Sequence, residues 1–415
     1  MRIAVVGSGI AGMATAWQLA REHSVVLFEA DSRLGGHTHT HTVEREGRSF
    51  QVDSGFIVHN PENYPLLTAM FRELGVETQP TTMSFSVHSE RTGLEYNAGT
   101  LNGLFCQRRN LLRPRFYRMV ADILRFYRES PALLQGDAQG PALGDYLREH
   151  RYSSMFIDEH LIPMASALWS SPSDRVLQFP ARYLVQFMAN HHMLSAGARP
   201  TWRVVKGGSS AYIRALESRW RVEARLSSAV QSVRRVEGGV EITTPHYAET
   251  FDQVVLACHS DQALKLLDQP SEREREVLGA IRYQPNETVL HTDARLLPKN
   301  PRAWAAWNAH IPAEPSADCT VSYCMNLLQG LTSREPFVVT LNRTAAIDPA
   351  KIIARMRYAH PEYTHASVAA QARRGEINGV DRIWYAGAYW GWGFHEDGIR
   401  SAIDVVRALG VRWPQ

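Results

Sequence analysis

A chain of 415 residues can bury a large core and divide into more than one lobe. Apolar residues make up 44% and charged residues 21%, as in ordinary globular proteins, and a net charge of +3 is too small to imply a nucleic-acid partner. The four cysteines (Cys106, Cys258, Cys319, Cys324) form no CxxC pair, which argues for free thiols and against disulfides or a zinc site.

The chain opens on "MRIAVVGSG" without a charged leader, and it holds no apolar run of the ~18 residues that span a bilayer. The expectation is a soluble, cytoplasmic protein. Residues 2–6 read as a buried strand, 10–22 as a helix and "SVVLFE" as a second strand. Between the first strand and the helix stand Gly7, Gly9 and Gly12 in GxGxxG spacing. Gly7 permits the turn, Gly9 lets the backbone approach a pyrophosphate, and Gly12 lets helix and strand pack closely. Glu29 closes the second strand, where a carboxylate bonds ribose hydroxyls and repels a 2′-phosphate. The pattern predicts a bound dinucleotide.

"RLGGHTHTHTV" (33–43) carries His37, His39 and His41 at alternate positions. Three ligands of one metal ion is one reading. A strand at 38–43 puts the three on one side with Cβ atoms about 6–7 Å apart, which fits a small cation poorly. No metal is therefore expected, and His39 and His41 read as strand positions.

Further along, 114–129, 141–149 and 180–190 read as helices. "ETVLHTD", "CTVSYCM" and "PFVVTL" read as strands, and "PAKIIARMRYA" as a helix. Segment 106–130 interleaves seven arginines with aliphatic and aromatic residues. It is either a basic amphipathic helix resting on anionic lipid or a solvated helix whose apolar side covers the core. His191 and His192 lack an HxxxH or HExxH partner pattern. No second GxGxxG follows, so no nicotinamide domain is visible.

Gly35 and Gly36 follow Glu29 at a spacing similar to flavoproteins of the glutathione-reductase-like and amine-oxidase-like types, which implies FAD. The blocks "VKGGSSAYIRALES" (205–218), "VEARLSSAVQSVRRVEGGVEITT" (222–244), "FDQVVLACHSDQALKLL" (251–267) and "RIWYAGAYWGWGFHEDGIRSAIDVV" (382–406) resemble the second type in order along the chain. "DSGFIVHNPENYPLLTAMFRELGVETQPTTMSFSV" (53–87), "SALWSSP" and "GFHEDG" resemble one bacterial branch of the flavin-containing amine oxidoreductase and phytoene desaturase superfamily. Members of that branch are often encoded beside cyclopropane-fatty-acid-synthase-like methyltransferases.

The resemblance implies an α/β, two-lobed flavoprotein. Residues 1–62, 201–268 and 376–415 would form a Rossmann-type FAD domain, and 63–200 with 269–375 a sheet-plus-helices substrate domain. It implies non-covalent FAD held by Gly7, Ser8, Gly9, Ile10, Ala11 and Gly12, then by Glu29, Ala30, Arg33, Gly35, Gly36, His37, Gly55 and Phe56. Val230, Ala257, Gly387, Phe394, Glu396, Asp397, Gly398 and Ile399 complete the set. By the same resemblance the turn after Phe394 brings a helix terminus to the flavin pyrimidine ring. Relatives have Gly at Asp397, which reads here as a helix cap or as a carboxylate near the flavin.

His395 is the catalytic candidate or a hydrogen-bonded loop histidine. Tyr389, Trp392 and His291 are the substrate-pocket candidates, the aromatic run 389–394 forming a wall or packing a core. Flavin amine oxidases place a lysine near flavin N5, whereas "ETVLHTDARL" offers His291 and Asp293. The favoured function is an FAD-dependent dehydrogenase or desaturase passing hydride from a hydrophobic or lipid substrate, such as an unsaturated or methylated acyl chain, to flavin N5. A flavin amine oxidase, or an isomerase or non-redox flavoprotein, are the alternatives.

Overall fold

The computed structural model describes residues 1–136, 140–195, 197, 200–314 and 318–413. The valine- and isoleucine-rich runs near the amino terminus are buried on both faces, as parallel strands require. They build a five-stranded sheet in the order Val222–Arg225, Ser24–Phe28, Arg2–Val6, Gln253–Leu256, Ile383–Tyr385, with every pair parallel. Helices Ile10–Leu19 and His395–Ala408 cover one face, packed on each other and on Leu67, Met70 and Phe71. A three-stranded meander (Ser232–Val236, Gly239–Thr243, Ala248–Phe251) and two helices (Ser260–Leu266, Glu272–Gly279) cover the other.

A seven-stranded sheet stands beside this unit. It runs Ile352–Pro361, Tyr283–His291, Val338–Leu341, Val321–Cys324, Trp307–Ile311, Phe85–Ser89, Glu95–Asn97, drawing strands from both insertions. The helices Pro114–Glu129, Leu143–Glu149, Ile162–Trp169 and Ala181–Asn190 build the second core, around Phe116, Phe126, Phe156 and Phe187. Among the described residues no helix is long and apolar enough to cross a membrane.

The segment "PAKIIARMRYA" departs from its predicted helix. Alanine, lysine, arginine and methionine favour helices, yet residues 352–361 form a ten-residue strand paired antiparallel along 283–291. Ladder pairing outweighs local propensity here. The consequence is functional, because residues of one parity on this strand now share a face.

Candidate functional site

Two helix amino termini converge where the parallel sheet meets the large sheet. A Cβ built on Gly12 would lie 1.9 Å from the Gly7 carbonyl oxygen, so only glycine lets the first helix sit this close to its strand. A Cβ on Gly398 would lie 2.7 Å from Ile10 Cγ2, so glycine also brings the carboxy-terminal helix against the first one. Gly9 differs, since a Cβ there would meet nothing within 4 Å. This opening lies before a helix terminus, which favours an anion.

Glu29 stands at the rim. Its carboxylate accepts from Ser8 N–H (2.9 Å), the Ser8 hydroxyl and Asp31 N–H (2.9 Å). Ala257 bonds Val6 across the strand ends and abuts Gly7, while Ala30 is exposed and Val230 packs at the edge of the meander core. Arg33 is inside the turn: its guanidinium donates to the carbonyls of Leu34, Gly36 and Thr38 at 2.7–3.3 Å. Shaping residues 34–38, not reaching for a ligand, is what those bonds accomplish.

Beyond this turn the chain passes a recess built largely of imidazole. His37 lies 5.7 Å from His259, 5.4 Å from His360 (stacked) and 4.9 Å from Tyr358, ring centre to ring centre. His259 stacks on Tyr283 at 4.2 Å. On another side, His395 stacks on Phe56 at 3.7 Å, and its Nε2 lies 3.1 Å from the Thr38 hydroxyl, itself 2.6 Å from the Tyr212 hydroxyl. His37, His259, His360 and His395 are surrounded by protein yet keep accessible surface, so that surface faces inward space. No hydrogen bond joins the His37 ring to the described residues.

Burial keeps these rings neutral. Desolvation, with repulsion from His259 and Arg33, pushes His37 down to about 3. Desolvation and His37 push His360 to about 3, and desolvation with His37 and His59 does the same to His395. His259 falls to about 4 by burial and the nearby His360. At neutral pH the recess offers hydrogen bonds without charge.

His360 has its proton placed by the backbone. Asn342 Oδ1 accepts from Glu287 N–H at 2.9 Å, which turns the Asn342 amide nitrogen toward Asn286 Oδ1 at 2.7 Å. Asn286 must then present its own NH2 to His360 Nδ1, 3.2 Å away. Nδ1 is therefore the acceptor, and the neutral ring carries hydrogen on Nε2.

The triple histidine of the sequence divides. The strand begins at Thr40, and the His39 and His41 rings lie 3.9 Å apart, tilted by 36°, with His41 bonded to Ser54 at 2.9 Å. Among the described residues no His, Cys, Asp and Glu group is arranged to hold a metal ion.

Four predicted site residues take other roles. Glu396 does not extend to a ligand: it accepts from Leu66 and Leu67 N–H, both at 3.0 Å, capping the Pro65–Leu74 helix. Asp397 accepts from Phe394 N–H at 3.1 Å and pairs with Arg400, with burial raising it to about 6. Ile399 is buried behind this first helical turn, and Gly387 N–H is tied to the Ser401 hydroxyl. His291 is a core residue. Its Nε2 meets the Thr340 hydroxyl of the neighbouring strand at 2.7 Å and its Nδ1 accepts from Asp293 N–H two residues on, so both nitrogens are engaged within the fold.

Tyr389 is buried with Leu256 and Tyr385 under the parallel sheet, its hydroxyl lacking a partner among the described residues. The aromatic run thus forms no single wall. Trp392 and Phe394 point the other way, toward Phe187, and border a cavity of about 370 Å³ shared with Tyr64, His191 and Arg400. Gly55 abuts the His37 carbonyl and aligns Phe56. His259, Tyr283, Asn286, Tyr358 and His360 went unnamed by motif. The alternation of Tyr358 and His360, and His259 directly after "VVLAC", were the available signals.

Residues 10–297 match the flavin-containing amine oxidoreductase family. The chain belongs to that family. AofH of Mycobacterium tuberculosis, provisionally assigned as a flavin-containing monoamine oxidase, is 28% identical over 256 residues, covering 58% of this chain and 53% of that protein. The chain thus spans about half the length of the curated relative it matches. An Exiguobacterium sp. 255-15 protein provisionally assigned as a protoporphyrinogen oxidase superposes with a TM-score of 0.70 at 18% identity over 98% of both chains. The CLA-producing fatty acid isomerase of P. acnes gives 0.68 at 16% over 99% of both. At these identities the two structures establish the fold alone.

Membership in this family implies a flavin, and the residues present fit one. The open approach at Gly9 before a helix terminus suits a pyrophosphate, Glu29 suits a ribose, and the uncharged recess suits a flat ring system.

Proposed function

We propose that this chain is an FAD-dependent dehydrogenase or desaturase acting on a hydrophobic substrate, an acyl chain being the favoured class, with FAD held non-covalently. Gly7–Gly12 would hold the pyrophosphate, Glu29 the ribose, and residues 36–38 with the amino-terminal turn at 395–398 the ring system. Bound FAD supplies the acceptor for the hydride that dehydrogenation removes. The chain's part is to orient the substrate, exclude water and pass on the accompanying proton.

The observation that carries this reading is the neutrality of the recess. The identified lining residues His37, Phe56, His259, Tyr283, Tyr358, His360 and His395 include no lysine and no carboxylate, and the four imidazoles are kept neutral. A cationic amine finds no counter-charge there, whereas an uncharged chain needs none. We assign His395 to pass the proton on and not to keep it, since burial holds the ring neutral while Phe56 fixes its plane and the Thr38 hydroxyl meets its Nε2. The amine-oxidase reading keeps its support from the AofH match. The isomerase reading shares a fold with the P. acnes enzyme.

The test is spectroscopic. The purified protein should absorb near ~450 nm and release FAD on denaturation. Under anaerobic conditions acyl lipids should bleach that band, while polyamines and aromatic amines should leave it intact. Bleaching by amines alone would transfer the assignment to an amine oxidase. Lipid rearrangement without net bleaching would transfer it to an isomerase.

A further inference from the structure

The basic stretch ahead of and along the Pro114–Glu129 helix has a division of labour that its sequence left open. Phe116, Met119 and Phe126 are fully buried and join the helical core that extends to Trp392 and Phe394. That accounts for one apolar face. A second apolar set points outward. Of the ten large apolar side chains exposed among the described residues, five lie in residues 101–124: Leu101, Leu111, Leu112, Tyr117 and Leu124. Leu112 is 88% exposed and Leu101 77%. A solvated helix has no need of such a set, because its core-facing apolar residues are already spent.

The five belong to one surface. Arg108 bonds Asn102 beside Leu101, Phe105 packs its ring 6.0 Å from Tyr117, and the Tyr117 hydroxyl donates to the Leu111 carbonyl at 3.0 Å. Leu124 lies two helical turns beyond Tyr117 on the same exposed line, with Ala121 between.

Charge identifies the partner. Residues 101–130 hold seven arginines and two carboxylates, a local +5 against +3 for the whole chain. Asp122 is buried and engaged by Ser153, Arg118 and Arg125, so its charge is not presented outward. Arg108, Arg109, Arg115, Arg118 and Arg128 are exposed around the leucines. Apolar tips ringed by arginines match a surface that is anionic at its headgroups and apolar beneath.

We propose that this face docks the protein on an anionic phospholipid bilayer, with Leu111, Leu112 and Leu124 entering below the headgroups and the arginines pairing with phosphates. The proposal stands whether or not the substrate is an acyl chain.

The FAD-loaded full chain should co-sediment with phosphatidylcholine vesicles carrying ~30% phosphatidylglycerol and far less with phosphatidylcholine alone. Binding should collapse between about 0.1 M and 1 M salt, where the screening length falls from about 10 to 3 Å. Leu112→Asp with Leu124→Asp, and separately Arg109→Glu with Arg115→Glu, should each lower partitioning at least ~10-fold. Unchanged flavin absorbance in the variants reports an intact fold. No binding to anionic vesicles at low salt, equal binding to neutral vesicles, or variants that bind like the parent would each overturn the proposal. So would a dimer, seen by light scattering, that the leucine variants dissociate, since the face would then cover a second copy.

Discussion

Asn286 donates its side-chain amide to Nδ1 of His360 across adjacent strands, 3.2 Å apart. The direction of that bond is inherited from Glu287 N–H through Asn342. Protonating Nδ1 would set two donors against each other, a second reason, besides burial, for a ring that stays neutral. Asn286→Asp reverses the polarity, because a carboxylate accepts from Nδ1–H and stabilises imidazolium. His360 should then titrate well above about 3, toward the ordinary histidine range. Asn286→Ala offers no carboxylate and should leave it low. Histidine NMR titration of the two variants separates these outcomes; identical titration would disprove the relay.

Gly9 and Gly12 make opposite predictions although both belong to one fingerprint. Gly12→Ala drives a methyl into the Gly7 carbonyl oxygen, so the turn must move and the folded population should fall. Gly9→Ala meets no protein atom and instead occupies the approach to the helix terminus. It should fold with unchanged circular dichroism and thermal midpoint in the cofactor-free state, while FAD affinity drops about tenfold or more, or about 1.4 kcal/mol. Calorimetric titration with FAD checks it, and parental affinity in Gly9→Ala would place the pyrophosphate elsewhere.

The cofactor side of the fold was legible in the sequence because its constraints are local. A glycine at Gly12 or a carboxylate closing a strand at Glu29 is demanded by neighbours within one βαβ unit. The recess is assembled from 37, 259, 283, 358 and 360, positions joined only by sheet pairing. Reading 350–360 by helix propensity hid the parity that puts Tyr358 and His360 on one face. His291 attracted attention for its motif, but Thr340 on the paired strand and the Asp293 N–H two residues on use both ring nitrogens. Glu396 misled in the same manner, since its partners lie some 330 residues upstream.

The neutral histidines also set an acid limit on stability. For His360 the folded value of about 3 lies below the ordinary 6.5, so the unfolded chain takes up the proton first as pH falls. The stability associated with the neutral ring is complete above about pH 6.5 and is lost as pH falls toward about 3. Asp53, raised by burial to about 6, acts in the opposite sense because its folded form takes a proton earlier. Replacing His360 with Gln removes one titrating base. Between about pH 4 and 6 the slope of unfolding free energy against pH should fall by up to about 1.4 kcal/mol per unit. Urea unfolding at several pH values measures that slope, and an unchanged slope would mean that His360 titrates normally in the folded protein.

Glu396 ties together two helices that share one core. Its carboxylate, on the first turn of the carboxy-terminal helix, closes the amino terminus of the Pro65–Leu74 helix through Leu66 and Leu67 N–H. Glu396→Ala leaves the Leu67 donor buried without a partner, at a cost of about 1–3 kcal/mol. Glu396→Gln keeps one acceptor oxygen but turns an NH2 toward the other backbone donor, so it should recover only part of that loss. A direct role on the flavin would predict the reverse: stability near parental in both variants, with a shifted flavin spectrum or potential. Denaturant midpoints, set beside the absorption spectrum of each FAD-loaded variant, decide between a helix cap and a cofactor ligand.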